Sequence, residues 1–155
     1  MARFDPLLIN TFAIGSTHYA DQYPGDEQNA RIVLTVTPEG GHAIPMILDT
    51  GAPWCVLDPE LAEAWRLTFK EGYKPTRRLT IRGVEYDGSL VRAVITLQVT
   101  HGRDLVVEAT IFIPELRPGD AWLSPNFLGL DGFLNRLRFA VDAAENAFYF
   151  GSADG

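Results

Sequence analysis

The chain has one cysteine, Cys55, and three scattered histidines, His18, His42 and His101, among 155 residues. A single thiol excludes an intramolecular disulfide, and so few soft ligands give no zinc-type spacing. Cys55 follows Trp54 in an apolar run and reads as a core thiol; the histidines sit in polar stretches and read as surface residues. No apolar run approaches membrane-spanning length, and residues 1–10, with Arg3, Asp5 and Pro6, lack the pattern of a secretory signal. The expected location is the cytosol. Cations are also scarce, 13 Lys and Arg against 20 Asp and Glu, for a net charge of -7. Nucleic acid calls for a basic surface and anionic membranes repel an acidic one, so neither partner is expected. No Ser/His/Asp set and no phosphate-cradling glycine loop is spaced as its chemistry requires. Neither a metal nor another cofactor is expected.

What is present is enough apolar material for one packed core: 46% hydrophobic and 11% aromatic residues. Residues 7–14 form an apolar candidate strand, and residues 16–29 read as a loop around Pro24-Gly25-Asp26. From Arg31 the pattern becomes β, with residues 32–37 and 43–48 separated by a turn at 38–41. Asp58, Pro59 and Glu60 form a helix start, with an N-cap, a proline at the first position and an acid in the first turn. Leu61, Ala64 and Trp65 would face the core, and the helix would end near Leu67. Two further strands, 78–81 and 90–99, flank Gly83-Val84-Glu85-Tyr86-Asp87-Gly88, where Asp-Gly is a hairpin signal. After a turn at 101–104 come a strand over 105–113, a proline-containing loop around Trp122, and Phe127-Leu128-Gly129. A final hairpin pairs 137–141 with 147–150. Seven or more strands and one or two short helices make the class mostly β.

The chemistry concentrates at Ile47-Leu48-Asp49-Thr50-Gly51-Ala52. Two apolar residues deliver an acid into a tight turn, where Thr50 adds a hydroxyl and Gly51 offers an unobstructed amide. A buried carboxylate must be hydrogen-bonded, and an Asx-type turn at a strand end would serve. Chance places an Asp-Thr-Gly tripeptide in about 2% of chains this size, so the triplet alone decides little.

Taken in order, the Asp49-Thr50-Gly51-Ala52 turn, the helix opening at Asp58, the hairpin over 83–88 and Phe127-Leu128-Gly129, 80 residues after Asp49, resemble the retropepsin-like aspartic proteases. These are single-domain relatives of pepsin. The resemblance covers residues 31–151. It leaves residues 1–30 as an N-terminal extension available for dimer contact, and 152–155 as a tail. It implies a closed acid-protease β-barrel in which the hairpin is a flap over substrate and Phe127-Leu128-Gly129 supports the acid turn. The implied catalytic residues are Asp49, Thr50 and Gly51. Ala52, Gly83, Tyr86 and Gly88 would contact substrate, Tyr86 reading equally well as a solvent-facing hairpin residue.

That mechanism needs two carboxylates close enough to share one proton. One takes a proton from the attacking water and the other serves the developing oxyanion. The chain supplies one such acid. Asp131 lacks the Thr-Gly turn and reads as a cap of a short helix. The resemblance therefore implies a homodimer, with Asp49 of each copy at a two-fold axis, acting on peptide or protein substrates. The retroviral members also carry an Asp after the acid turn, paired with an Arg after the apolar-apolar-Gly element. Pro53-Trp54 and Leu130 stand there instead, so that pair has no counterpart. Two other readings keep the same residues: a catalytically silent binding or assembly module of this fold, and an unrelated β domain in which Asp49 is only a turn residue. Trp54, Trp65 and Trp122 read as core or subunit-contact residues.

Overall fold

Branched and aromatic residues dominate the segments that become strands, and they are brought together by pairing between distant parts of the chain. The computed structural model describes residues 12–67 and 76–153. Among these the strands are β1 (Gly15–His18), β2 (Val33–Pro38), β3 (Ile44–Leu48), β4 (Cys55–Val56), β5 (Thr76–Ile81), β6 (Val84–Leu97), β7 (His101–Gly102), β8 (Leu105–Pro114), β9 (Phe127–Leu128), β10 (Leu137–Asp142) and β11 (Ala147–Ser152). One helix, α1 (Pro59–Ala64), and a 3-10 turn, Leu134–Arg136, complete the described elements.

Six strands close on themselves in the order β2-β3-β9-β4-β8-β6, and β6 returns to β2 through Val36↔Leu97. The class is thus mostly β with a closed barrel. β5 hangs outside the ring, paired only to the first part of β6. A second sheet, β10-β11-β1-β7, lies beside the barrel.

Period-2 alternation on five strands builds two apolar clusters at once. Leu34, Met46, Cys55, Ile111 and Leu128 belong to the main core, while their chain neighbours Val33, Ile47, Val56, Phe112 and Phe127 form a second cluster. These strands are therefore buried on both faces, which is why they read as continuous apolar runs. Ile81 completes the second cluster, with Leu79 and Tyr86 packed against it, so the β5–β6 hairpin roofs it.

Several local expectations are corrected. Residues 16–18 are not loop but most of β1, which pairs with β11 through Ser16↔Tyr149 and Thr17↔Phe148. Ser-Thr-His shows no apolar alternation, and the strand is set by its partners rather than by its own pattern. The residue 101–104 turn includes β7, a two-residue pairing with Gly15 and Ser16. Of the candidate strand over 7–14, residues 7–11 lie outside the described residues, and 12–14 precede β1 without strand structure. In α1 the Asp58 carboxylate accepts from the Glu60 N–H at 2.9 Å, as expected of the cap. Ala62 faces the core, however, and Ala64 is exposed.

The largest correction is the hairpin tip. Asp87 and Gly88 lie within β6, opposite Arg78 and Arg77. The chain instead turns at Arg82 and Gly83, with φ of 50° and 81°, the positive values that a type I′ turn requires at both positions. Gly88 marks the root of the hairpin, where β6 pairs with both β5 and β8. A Cβ at Gly88 would lie 2.4 Å from the Phe112 ring and 2.5 Å from the Ile113 carbonyl oxygen, so glycine is needed for close approach there.

No described helix is long and apolar enough to cross a membrane.

Candidate active site

β3 and β4 are consecutive along the chain, yet they do not pair with each other. β9 lies between them, parallel to β3 through Ile47↔Phe127 and Leu48↔Leu128, and antiparallel to β4 through Val56↔Phe127. The acid turn therefore spans a strand contributed from 80 residues downstream. The Asp49 N–H donates to the Leu128 carbonyl at 2.9 Å, and the Ala52 N–H donates to the Asp49 carbonyl at 3.2 Å. Gly51 donates its N–H to Asp49 Oδ1 at 2.8 Å. An added Cβ on Gly51 would sit 3.2 Å from that oxygen, a tight contact, so glycine eases the approach. Asp49 is half-buried, whereas Thr50 and Gly51 are exposed at the top of the turn.

Below the turn, Gly129 lies against the backbone of Trp54. A Cβ on Gly129 would come within 2.2 Å of the Trp54 carbonyl oxygen. Leu130 and Asp131 then donate their N–H groups to the carbonyls of Ala52 and Pro53, each at 2.8 Å. Backbone bonds thus join the segment after the acid turn to the segment after β9, at the positions where the retroviral ion pair has no counterpart. The Asp131 carboxylate accepts from Asn135 Nδ2 at 2.9 Å instead of capping the 3-10 turn, whose N-cap is Phe133.

Asn126 was not singled out from the sequence, yet it ties the site together. It is 7% exposed. Its Oδ1 accepts from the Asp58 N–H at 2.8 Å, its carbonyl accepts from Ile47 at 2.9 Å, and its N–H donates to the Tyr23 hydroxyl at 3.3 Å. Helix α1, β3 and the N-terminal segment are thereby fixed to one residue. The only sequence signal was a polar side chain directly before an apolar pair.

A cleft of about 300 Å³ opens beside Asp49. Gly51, Ala52 and Pro53 form one side, and Val56 and Phe127 belong to the second apolar cluster beneath. Residues 79–82 of the hairpin and Arg31 face them. Asp49, Gly51, Ala52 and Phe127 thus meet at one cleft. Leu128 points into the main core, and Gly129 supports the turn from below. Gly83 is at the tip, with open space where a Cβ would be. Tyr86 pairs with Leu79 and rests edge-on against Trp122, ring centroids 5.4 Å apart, outside the residues that line the cleft. Leu79, Ile81, Arg31 and Arg82 were missed. The first two alternate on one strand face, which a correct tip position would have indicated. A smaller groove of about 210 Å³, including His18, His101, Glu145 and Tyr149, lies on β1, β7 and β11 away from the acid turn.

Trp54 stacks on Phe112 at 6.1 Å, and Trp65 meets His42 edge-on at 5.2 Å. Burial pushes the Cys55 thiol up to about 12, so it stays protonated and takes no part in nucleophilic chemistry.

No protein-family model matches the chain, and no curated protein matches it. Among solved structures it is similar to a retropepsin-like aspartic protease from Rickettsia conorii, with 17% sequence identity and a TM-score of 0.54. The match covers 88% of this chain and 98% of that one. At that identity the structural match shows the shared fold alone.

Proposed function

We propose that the chain is a homodimeric aspartic endopeptidase in which the Asp49 carboxylates of two copies activate one water. The observation that carries this reading is the position of Asp49. Its carboxylate is oriented by the Gly51 N–H, stands on backbone bonded to β9, and lines a cleft with an apolar floor and a hairpin across it. A carboxylate held only as a turn cap would not need a cleft beside it.

One acid per chain calls for a two-fold axis near Thr50-Gly51, where both residues are exposed and free to meet a second copy. In the reaction the ionised carboxylate takes a proton from water as the water oxygen bonds to the peptide carbonyl carbon. The protonated carboxyl gives its proton to the carbonyl oxygen, producing a neutral tetrahedral diol. On collapse a diol hydroxyl gives its proton to the ionised carboxylate as the carbonyl re-forms, the C–N bond breaks, and the other carboxyl gives its proton to the leaving nitrogen, so the pair again holds one proton. The apolar cleft floor suits extended peptides with apolar side chains.

The test is Asp49→Asn, which keeps size and hydrogen-bonding capacity but removes the base and acid from both copies. Cleavage of a mixed peptide library should fall by about a thousandfold or more, with the melting temperature preserved. Equal cleavage by both proteins would make Asp49 a turn residue and overturn the reading.

A further inference from the structure

Two arginines line the Asp49 cleft, and the hydrolytic steps above use neither. Arg31 precedes β2 and belongs to the body of the molecule, where its backbone N–H donates to the Asp21 carbonyl at 2.8 Å. Arg82 occupies the first position of the hairpin turn. The two side chains therefore reach the cleft from different supports, one from the barrel and one from the hairpin tip.

They converge on Asp26. Arg82 Nη2 donates to Asp26 Oδ2 at 3.0 Å, and Arg31 Nε contacts the same oxygen at 3.4 Å. The other carboxylate oxygen accepts from Asn29 Nδ2 at 2.9 Å. One carboxylate oxygen thus serves two guanidiniums, at one good distance and one long one. A guanidinium carries five N–H donors, so each arginine retains most of its donors after this contact. Asp26 is not among the residues that line the cleft. Among the described residues the charged lining is Arg31, Arg82 and Asp49, two cations to one acid, in a chain whose overall charge is -7.

We propose that Arg31 and Arg82 form a subsite for an acidic side chain, aspartate or glutamate, of the peptide substrate. The assignment deepens the endopeptidase reading and rests on it in taking a peptide as the occupant of the cleft. Planar guanidiniums bind carboxylates through paired, charge-assisted hydrogen bonds. The arginine side chains are 35% and 43% exposed, so part of each is shielded from water. A carboxylate bound between the two arginines bridges the barrel and the hairpin tip, so recognising the acid and holding the hairpin over the substrate become one event. Asp26 holds the pair together from behind. The neighbouring Leu79, Ile81 and Phe127 take apolar groups, so the preferred substrate carries an acidic residue near apolar ones.

The experiment measures binding without cleavage. The full-length Asp49→Asn protein is titrated with fluorescent apolar peptides in pairs that differ only by Glu against Gln, with that position moved along the peptide. At one position the Glu peptide should bind about tenfold more tightly than its Gln partner. Adding Arg31→Met and Arg82→Met should reduce that ratio to about two or less, while affinity for the Gln peptide changes little. Arg82→Glu alone, a change at an exposed turn, should turn the preference toward a Lys peptide, and it serves as the second variant if the double substitution lowers the melting temperature. Equal binding of Glu and Gln peptides at every position, or a preference that survives both arginine changes, overturns the subsite. Absence of binding by any peptide overturns it as well. Glu-selective binding by a protein whose Asp49 form cuts nothing would overturn the endopeptidase reading and leave the acidic subsite standing.

Discussion

Asp49 and Arg82 face the same cleft on supports of opposite kinds. Asp49 extends from a strand sandwiched in the barrel: β9 bonds it from one side, and Gly129 presses on the backbone of Trp54 beneath. Arg82 stands on a two-residue turn with open space around Gly83, and its side chain bonds to Asp26 on another loop. One half of the cleft is fixed by backbone bonds and close packing. The other is held by side-chain charges at the surface. The difference suits the proposed endopeptidase site, which keeps its acid in place while an extended substrate enters and leaves.

Two glycine substitutions probe that difference directly. Gly129→Ala drives a methyl group into the Trp54 backbone, where neither partner is the end of a flexible side chain. Urea unfolding should show a loss of about 3 kcal/mol or more, or no folded protein. Gly83→Ala meets no neighbouring atom and bears only the cost of a positive φ, about 1 kcal/mol. Similar losses for the two variants would break the comparison.

Asn126→Ala falls between them. It strips the buried Asp58 N–H of its acceptor and should cost about 1–3 kcal/mol by the same unfolding measurement. A neutral result would mean that the side chain is dispensable to the fixed half.

The smallest effect belongs to Asp26→Asn, and its signature is pH dependence. The Asn29 hydrogen bond, followed by the contacts with Arg82 and Arg31, outweighs the opposing effect of burial and holds the Asp26 carboxyl below its ordinary value of 3.8. A lowered folded value means the stabilisation is complete above the unfolded value and disappears as pH falls through the folded one. Wild type should therefore be slightly more stable than Asp26→Asn at neutral pH, and the two should converge below about pH 4. A gap that widens on acidification would contradict the shared ion pair.

The same contrast explains what could be read in the sequence. The fixed half was legible because it depends on short, order-dependent elements: Asp49-Thr50-Gly51, then Phe127-Leu128-Gly129 at a set distance. The hairpin was legible as a hairpin but misplaced. Asp87-Gly88 fits the usual turn chemistry, whereas the actual turn puts Arg82 at a positive φ, where glycine, asparagine or aspartate is more common. Gly88 is required for a tertiary reason, the Phe112 ring beside it, which no local pattern reveals. Asn126 escaped notice because the N–H that its side chain satisfies lies 68 positions away. β1 escaped because Ser16-Thr17-His18 owes its strand conformation to β11. The interactions that were missed depend on contacts between distant parts of the chain.

The central claim is that two copies of Asp49 make one site, and subunit mixing tests it most directly. Wild-type and Asp49→Asn chains are unfolded together, refolded at constant total concentration and assayed on a cleaved peptide. If both carboxylates are needed, only wild-type pairs are active, and the rate follows the square of the wild-type fraction. At equal proportions it should fall to about a quarter of the all-wild-type rate. A rate that falls only to about half, in proportion to the wild-type fraction, would show that each chain acts alone.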